Sequence, residues 1–234
     1  MHLFSTLPGE LISIFRAIGN SADAVNAKAY VIGAYPRSIV VKEDCSDIEI
    51  SVTGDLNSVV EHFLSSYPLI KSKSLKHEGR FVFVPSPYNE GDYIKMARAR
   101  KDHHGGAGDI DSEVLCRGFS VDGLAISISS FDFGEIIDKE GAIEDIKAKV
   151  LRIMNRDLFK VEQVYIYKAI YLTARYKLSI EPMTETLLKE AIKAKYTNCL
   201  TYEQRKAELS KIKRGKNKPL AIQLLNEYNL AEEQ

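Results

Sequence analysis

The sequence is poor in cysteine. Its three cysteines, Cys45, Cys116 and Cys199, lie far apart, and none forms a Cys-x-x-Cys pair. Zinc sites built from cysteines need that kind of spacing, so a structural zinc site is not indicated. Isolated cysteines are typical of free thiols in a reducing compartment.

The sequence also has no excess of charge of either sign. The 32 Lys and Arg residues are balanced by 32 Asp and Glu residues, which gives a formal net charge of zero. Overall attraction to a polyanion is therefore excluded. Any binding to nucleic acid must come from a local cluster of basic residues.

A long apolar run is absent from residues 1–20, and no basic run precedes the apolar positions there. Glu10 interrupts these positions, and those that follow it are spaced as one helix face: Leu11, Ile14, Phe15 and Ile18. This pattern is not that of a signal peptide or of a membrane span. We expect a cytoplasmic protein with no membrane partner.

The composition and periodicity predict a globular α+β protein. Apolar residues make up 45% of the 234 residues and charged residues 27%, which predicts a packed core. The strand signals fade after Ile153, and helical periodicity dominates from Phe159 onward. We therefore predict a mixed β-sheet head with flanking helices over residues 1–155, followed by an all-helical neck over 156–234. The predicted strands are 29–32, 47–52, 69–75, 80–84 and 93–98.

Capping and spacing signals place the helices. Ser5 or Thr6 is predicted to cap the first helix, Asn57 is predicted to cap another, and residues 37–41 read as a short helix between them. Three glycines in the window 103–111 predict a mobile loop. The neck shows one helix face formed by Val161, Val164, Tyr165, Ala169, Leu172 and Tyr176, and later helices over 184–194, 202–212 and 219–228.

Two acids follow a glycine turn and an arginine. Asp47 and Glu49 occupy alternate positions of a predicted strand, so their carboxylates point to the same face. Such a pair can hold divalent cations such as magnesium together with phosphate oxygens. The turn at Gly33 and Ala34 would let a triphosphate approach backbone N–H groups, and Arg37 has the donors to bind phosphate. The same pattern also fits acids on a solvated strand face.

Two histidines lie near three acids in the glycine-rich window. His103 and His104 precede Asp109, Asp111 and Glu113. Adjacent histidines lack the spacing of a zinc pair, and in a glycine-rich loop they are typical of solvated side chains. This cluster is a weak candidate for a metal site.

The segment 204–218 has a local surplus of positive charge, with one acid, Glu208, among seven basic residues. Such a segment can meet an RNA backbone, or it can be a solvated helix end followed by a basic loop. Its basic residues are Arg205, Lys206, Lys211, Lys213, Arg214, Lys216 and Lys218.

The series Gly33-Ala34-x-x-Arg37-Ser38 followed by Asp47-x-Glu49 resembles the Gly-Gly-x-x-Arg-Asp and Asp-x-Asp motifs of one family. The sequence is similar here to the bacterial-type (class II) CCA-adding enzymes and poly(A) polymerases of the nucleotidyltransferase superfamily. The spacing is that of the family. The resemblance continues through 99–108, 117–125, 138–152, 169–184 and 200–230, which is nearly the whole chain.

The resemblance implies a nucleotidyltransferase-type head that binds a nucleoside triphosphate and magnesium, and a neck that selects the base. It makes Asp47 and Glu49 the catalytic metal ligands. It places eight residues at the nucleotide: Gly33, Ala34, Arg37, Arg117, Asp122, Glu162, Tyr165 and Lys168. The implied partner is an RNA with a tRNA-like 3′ end. The residues expected to bind it are Arg205, Lys206, Lys211, Lys213, Arg214 and Lys216. The sequence ends after the neck, so we expect that the RNA grip of the family's body domains is either missing or supplied by a protein partner.

The sequence departs from the family pattern where the chemistry lies. Lys95 occupies the strand that often supplies a third carboxylate, and Gly118 replaces an acid. Glu162 and Tyr165 stand where the family has the Asp and Arg that read the base. A tyrosine hydroxyl lacks the fork of donors needed for that readout, so templated addition of C and then A is not expected.

Two functions remain open from the sequence. The retained acids and Arg37 favour a diverged, template-independent RNA nucleotidyltransferase that transfers a nucleotide to an RNA 3′ end by two-metal chemistry. The departures favour a catalytically inactive homologue that binds RNA or nucleotide, or a subunit of a larger assembly.

Overall fold

The computed structural model describes residues 7–67, 73–74, 82–85 and 93–231. These residues divide into two compact units. The first contains the described residues up to Arg117 together with Asp122–Ile143. The second contains Gly118–Val121 and the described residues from Glu144 onward. The assignment of 1–155 to a head domain and 156–234 to a neck domain stays a prediction.

The first unit is built around a mixed sheet with helices against it, which confirms the predicted α+β class. Its elements are α1 (Gly9–Ala24), β1 (Lys28–Ile32), α2 (Ala34–Val41), β2 (Glu49–Thr53), α3 (Leu56–Ser66), β3 (Lys73–Ser74), β4 (Val82–Pro85), β5 (Tyr93–Arg98), β6 (Arg100–Asp102), β7 (Gly105–Ala107), α4 (Ile110–Leu115), β8 (Ala125–Ser127) and β9 (Ile136–Ile137).

The sheet has seven strands in the order β3-β4-β5-β2-β1-β8-β9. Strand β1 pairs antiparallel with β2 and with β8, whereas β2 pairs parallel with β5. The register places Ile32 opposite Glu49 and Glu49 opposite Lys95. The end of β1, the start of β2 and the middle of β5 therefore meet at one place in the sheet.

Apolar side chains on the strands hold α1 and α3 against the sheet. Phe15, Phe63, Ile50 and Met96 are all buried in one cluster, which accounts for the apolar spacing of both the helices and the strands. Helix α1 approaches the sheet closely at Gly19. A Cβ there would lie 1.7 Å from the carbonyl oxygen of Ile128, so only glycine fits.

The second unit is mostly helical. Its elements are α5 (Ala142–Ala148, which contains the point of division), β10 (Val150–Leu151), α6 (Leu158–Val161), α7 (Val164–Tyr176), β11 (Ser179–Ile180), α8 (Pro182–Lys193), α9 (Tyr202–Arg214) and α10 (Lys218–Glu227). The short strands β10 and β11 pair in parallel. Helices α7, α9 and α10 pack around one apolar cluster. Among the described residues, no helix is long and apolar enough to cross a membrane.

Several predicted boundaries in the first unit were wrong. Strand β2 begins at Glu49, and Asp47 lies in the extended segment before it. Helix α2 begins at Ala34, three residues earlier than predicted. Asp55 caps α3 through bonds from the N–H groups of Asn57 and Ser58, so Asn57 is not the cap. The predicted caps Ser5 and Thr6, and most of the predicted strand 69–75, lie outside the described residues.

Two predicted segments have a different local structure. The predicted loop at 103–111 contains β7, which pairs with β6 as a short hairpin, and the start of α4. The single predicted helix face over 161–176 is divided between α6 and α7, because Glu162 and Gln163 interrupt the helix. Apolar spacing alone does not reveal such a break, since the residues on both sides of it are buried in the same cluster.

Candidate functional site

The turn at Gly33 joins β1 to α2 and has a positive φ of 75°, which favours glycine. A Cβ at this position would lie 3.3 Å from Arg117 Nη1 and 3.8 Å from Glu49 Oε2. The turn therefore lies close against these two charged groups, and a side chain at this position would crowd Arg117. Ala34 follows as the first residue of α2.

Glu49, which lies beside this turn, shares one neighbour with Asp47. Lys95 Nζ donates a hydrogen bond to Asp47 Oδ1 at 2.7 Å and lies 3.8 Å from Glu49 Oε1. One ammonium contacts both carboxylates, so the two acids face the same side. The side chain of Asp47 is 53% exposed and that of Glu49 is 32% exposed. The pair is open to solvent.

The parallel register between β2 and β5 explains the position of Lys95, since it places Lys95 directly opposite Glu49. Burial lowers the pKa of Lys95, but the hydrogen bond and charge of Asp47, with the charge of Glu49, outweigh it. The net result is a raised pKa, so Lys95 stays an ammonium at neutral pH.

A second cation reaches Glu49 from the other side. Arg117 Nη1 lies 2.5 Å from Glu49 Oε2, and its Nη2 donates to Glu113, which is buried in α4. Glu113 also accepts from the backbone N–H of Arg100 at 2.7 Å and from its Nη2 at 3.1 Å. Burial raises the pKa of Glu113, but the positive charges of Arg117 and Arg100 and the hydrogen bonds from Arg100 together lower it by more. The net shift of the pKa is therefore downward. A buried carboxylate thus fixes the arginine that faces Glu49.

Arg37 forms an ion pair with Asp122, and both side chains are buried. The pair joins α2 to Asp122, which belongs to the same unit. Both residues are predicted nucleotide-binding residues, and the structure places them against each other. The guanidinium of Arg37 is therefore already neutralised within the protein.

The charges around the turn are balanced. Four acids, Asp47, Glu49, Glu113 and Asp122, face four cations, Lys95, Arg117, Arg100 and Arg37. The described residues contain no group of three or more His, Cys, Asp or Glu placed to hold a metal ion. Asp47 and Glu49 nevertheless fit one divalent cation completed by phosphate oxygens, because a single cationic atom already contacts both. The group that occupies this position is Lys95.

The other predicted nucleotide-binding residues lie in the second unit. Glu162 follows α6, and Tyr165 and Lys168 lie on α7. The ring of Tyr165 is buried and packs 5.8 Å from the ring of Phe119, while Lys168 Nζ lies 4.7 Å from its centroid. Tyr165 therefore packs within this unit as a core residue.

Gly118 and Tyr165 are coupled by this packing. Gly118 has a φ of 83°, and a Cβ there would lie 2.3 Å from Tyr165 Cε1 and 2.8 Å from Leu158 Cδ2. The space that an acidic side chain at 118 would need is filled by the tyrosine ring. The glycine at 118 and the tyrosine at 165, which both depart from the family motifs, therefore fit each other sterically.

The predicted RNA-binding residues lie on α9 and immediately after it. Lys206, Lys211, Lys213, Arg214 and Lys216 are exposed, and Arg205 is partly buried. The buried residues of α9 are Leu209 and Ile212, so the helix packs through a narrow apolar stripe. The rest of its surface is strongly basic.

Sequence reasoning missed two residues of this site. It considered Glu113 only as a weak partner of His103 and His104, and it assigned no role to Arg100. His103 and His104 instead form the turn of the β6–β7 hairpin. The spacing of residues did not predict that Glu113 is buried. The position of this acid inside a short helix, next to apolar residues, is the signal that could have indicated its burial.

Known proteins are similar to this chain in sequence and in fold. The chain is 24% identical over 202 residues to an A-adding tRNA nucleotidyltransferase of Geobacter sulfurreducens, covering 82% of this chain and 22% of that protein. It is 26% identical over 180 residues to the A-adding tRNA nucleotidyltransferase of Aquifex aeolicus, covering 70% of this chain and 20% of that protein. The chain thus spans about a fifth of the length of these curated relatives. No family model matches the sequence.

Solved structures give the same relationship. A Thermotoga maritima CCA-adding enzyme complexed with tRNA superposes with a TM-score of 0.86 and 26% identity, over 99% of this chain and 54% of that one. A CCA-adding enzyme in complex with CTP has the same TM-score, with 27% identity over 99% of this chain and 54% of that one. The similarity extends through both units.

Proposed function

We propose that this chain, a homologue of the bacterial-type A-adding and CCA-adding nucleotidyltransferases in sequence and in fold, transfers a nucleotide from a nucleoside triphosphate to an RNA 3′ end. The observation that carries the proposal is the convergence of Asp47 and Glu49 on one cation position beside the Gly33 turn. The solved relatives in complex with tRNA and with CTP support the same pair of substrates.

Asp47 and Glu49 are the proposed ligands of magnesium. When bound, the ion neutralises phosphate charge and activates the attacking RNA hydroxyl. Gly33 and Ala34, at the start of α2, are proposed to offer backbone N–H groups to the triphosphate. Arg117, fixed by Glu113, supplies a positively charged group at the same place.

Arg37 and Asp122 are proposed to position the Gly33 turn and not to contact the nucleotide. Their buried pair holds the start of α2 and therefore the Gly33 turn. A positioned turn matters because catalysis by electrostatic stabilisation depends on donors that are already in place.

The base is proposed to be selected differently from the Asp and Arg pair of the family. Tyr165 is buried against Phe119, and its single hydroxyl cannot match two base edges by a fork of donors. Glu162 and Lys168 remain the polar residues of this region, so we expect weak discrimination between nucleotides and no ordered addition of C and then A.

Incubation with magnesium and labelled nucleotides tests this proposal. We expect incorporation into a tRNA that lacks its 3′ end, with at least one of the four nucleoside triphosphates, and none when EDTA is present. The measurement is the extension of the RNA by one or more nucleotides on a denaturing gel. Absence of extension with every nucleotide, across tRNA and unstructured RNA substrates, would contradict transferase activity.

A catalytically inactive, RNA-binding homologue is the second candidate, favoured by the ion pair of Lys95 with the two proposed metal ligands. This function would rest on the basic surface of α9. We expect Lys213→Ala together with Arg214→Ala to weaken RNA binding by about tenfold and to reduce the salt slope by about two, because two phosphate contacts are lost.

Fluorescence anisotropy across a salt series measures this effect. Lys147→Ala with Lys193→Ala is the matched control, because both lysines are exposed in the same unit but lie outside α9. An equal loss in both double variants would show that only overall charge matters. Unchanged binding in the α9 variant would remove this surface from the RNA interface.

A further inference from the structure

Lys95 lies where a bound cation would lie. It is on β5 opposite Glu49, and its ammonium reaches beyond Glu49 to Asp47. The N···O distances are 2.7 Å to Asp47 and 3.8 Å to Glu49. The same two carboxylates are the proposed magnesium ligands, so this inference rests on the proposed function for the identity of the site.

An ammonium and a divalent cation cannot share this position. Both need the same carboxylate oxygens, and their like charges repel at contact distance. While Lys95 is in place, it and Arg117 together balance the charges of the two acids, which then attract a free cation only weakly. Binding of a divalent ion therefore requires that Lys95 leaves.

The side chain of Lys95 can be displaced from the two carboxylates more easily than that of Arg117. Lys95 is 38% exposed and Asp47 is 53% exposed, and an ion pair of that kind contributes little stability. A lysine also carries its charge on a flexible four-carbon stem. Arg117 is only 16% exposed and is held by Glu113, which is 2% exposed. Of the two cations that face Glu49, Lys95 is the one that can be displaced.

We propose that Lys95 is an internal competing cation, which occupies the divalent-cation position in the metal-free protein and is displaced when a divalent cation binds. The metal-free site then avoids two adjacent bare carboxylates, and the affinity for metal is set by the competition. Removing the ammonium while keeping the length of the side chain should raise the affinity for a divalent cation.

Titration with Mn2+ alone, followed by electron paramagnetic resonance, tests this directly without any turnover. We expect Lys95→Met to bind Mn2+ about tenfold more tightly than the wild type, the gain expected from removing one partly exposed ion-pair competitor. Lys95→Arg keeps the positive charge and should bind as weakly as the wild type. Asp47→Asn in the Lys95→Met background should lose the gain.

Lys28→Met is the matched control. Lys28 is an exposed lysine of the same sheet, at the opposite end of β1 from Ile32, the residue that faces Glu49. This variant should bind Mn2+ as the wild type does, and thermal unfolding of each variant by circular dichroism checks that the fold is retained. A Lys28→Met gain equal to that of Lys95→Met would assign the effect to overall charge and overturn the proposal.

Equal Mn2+ affinity of the wild type and Lys95→Met overturns the proposal, as does tight binding by Lys95→Arg. The outcome is separable from the proposed transferase activity. Tighter Mn2+ binding by Lys95→Met with no nucleotide incorporation would support the role of Lys95 and count against the activity. Incorporation with no effect of Lys95→Met on Mn2+ binding would do the reverse.

Discussion

Replacing Asp47 with asparagine is expected to lower nucleotide incorporation by about a thousandfold or more. Asparagine keeps the size of the side chain but removes its negative charge, so the site loses one of two proposed metal ligands. Loss of a single preorganised charge-stabilising group typically costs about a hundred- to a thousandfold in rate, and loss of a metal ligand removes the ion's contribution as well.

The measurement is single-turnover extension of an RNA 3′ end by the wild type and by Asp47→Asn at saturating magnesium. Asp44→Asn is the control, because Asp44 is an exposed acid in the same segment before β2. It should retain the wild-type rate. The side chain of Asp47 is exposed, so thermal unfolding should be nearly unchanged in both variants. Full activity in Asp47→Asn would remove this residue from the chemistry.

Replacing Glu113 with glutamine is expected to destabilise the first unit by about 3 kcal/mol, because breaking a buried ion pair leaves an uncompensated charge. Glu113 is almost fully buried, and its carboxylate accepts hydrogen bonds from Arg100 and Arg117. Glutamine keeps the shape but removes the buried negative charge that Arg100 and Arg117 share, while Arg117 keeps its contact with Glu49.

Urea denaturation at pH 7 measures this loss. The matched control on the same helix is Asp111→Asn, which breaks an exposed ion pair with Lys139. Exposed pairs are worth about 0–1 kcal/mol, so its effect should be small. Equal losses in the two variants would show that burial of Glu113 does not decide its contribution.

The contribution of Glu113 to the free energy of unfolding should fall as the pH is lowered. The pKa of Glu113 is lowered in the folded protein from its ordinary value of 4.5. Its contribution is therefore fully present above pH 4.5 and is lost as the pH falls through the folded-state pKa. The free-energy difference between the wild type and Glu113→Gln should be constant above pH 5.5 or thereabouts and should shrink at lower pH. A difference that grows on acidification would contradict the ionised state of Glu113.

The sequence by itself determined several of the longer helices and strands and the order of the motifs. Apolar alternation placed β1 and β5 nearly at their observed bounds, and helical spacing placed α8, α9 and α10. These features depend on local periodicity and capping, which a sequence records directly. The break between α6 and α7 escaped the same reasoning, because it does not change the apolar spacing on either side.

Only the tertiary structure decided what surrounds the two acids. Lys95 meets Asp47 and Glu49 because β5 pairs in parallel with β2, and strand register is set by the whole sheet. Glu113 and Arg117 are only four residues apart, but the approach of Arg117 to Glu49 joins residues 68 positions apart. Tyr165 fills the space beside Gly118 through packing within the second unit. Residue types and their spacing can be read from the sequence. The partners of Asp47 and Glu49 depend on contacts between distant segments, which local patterns do not encode.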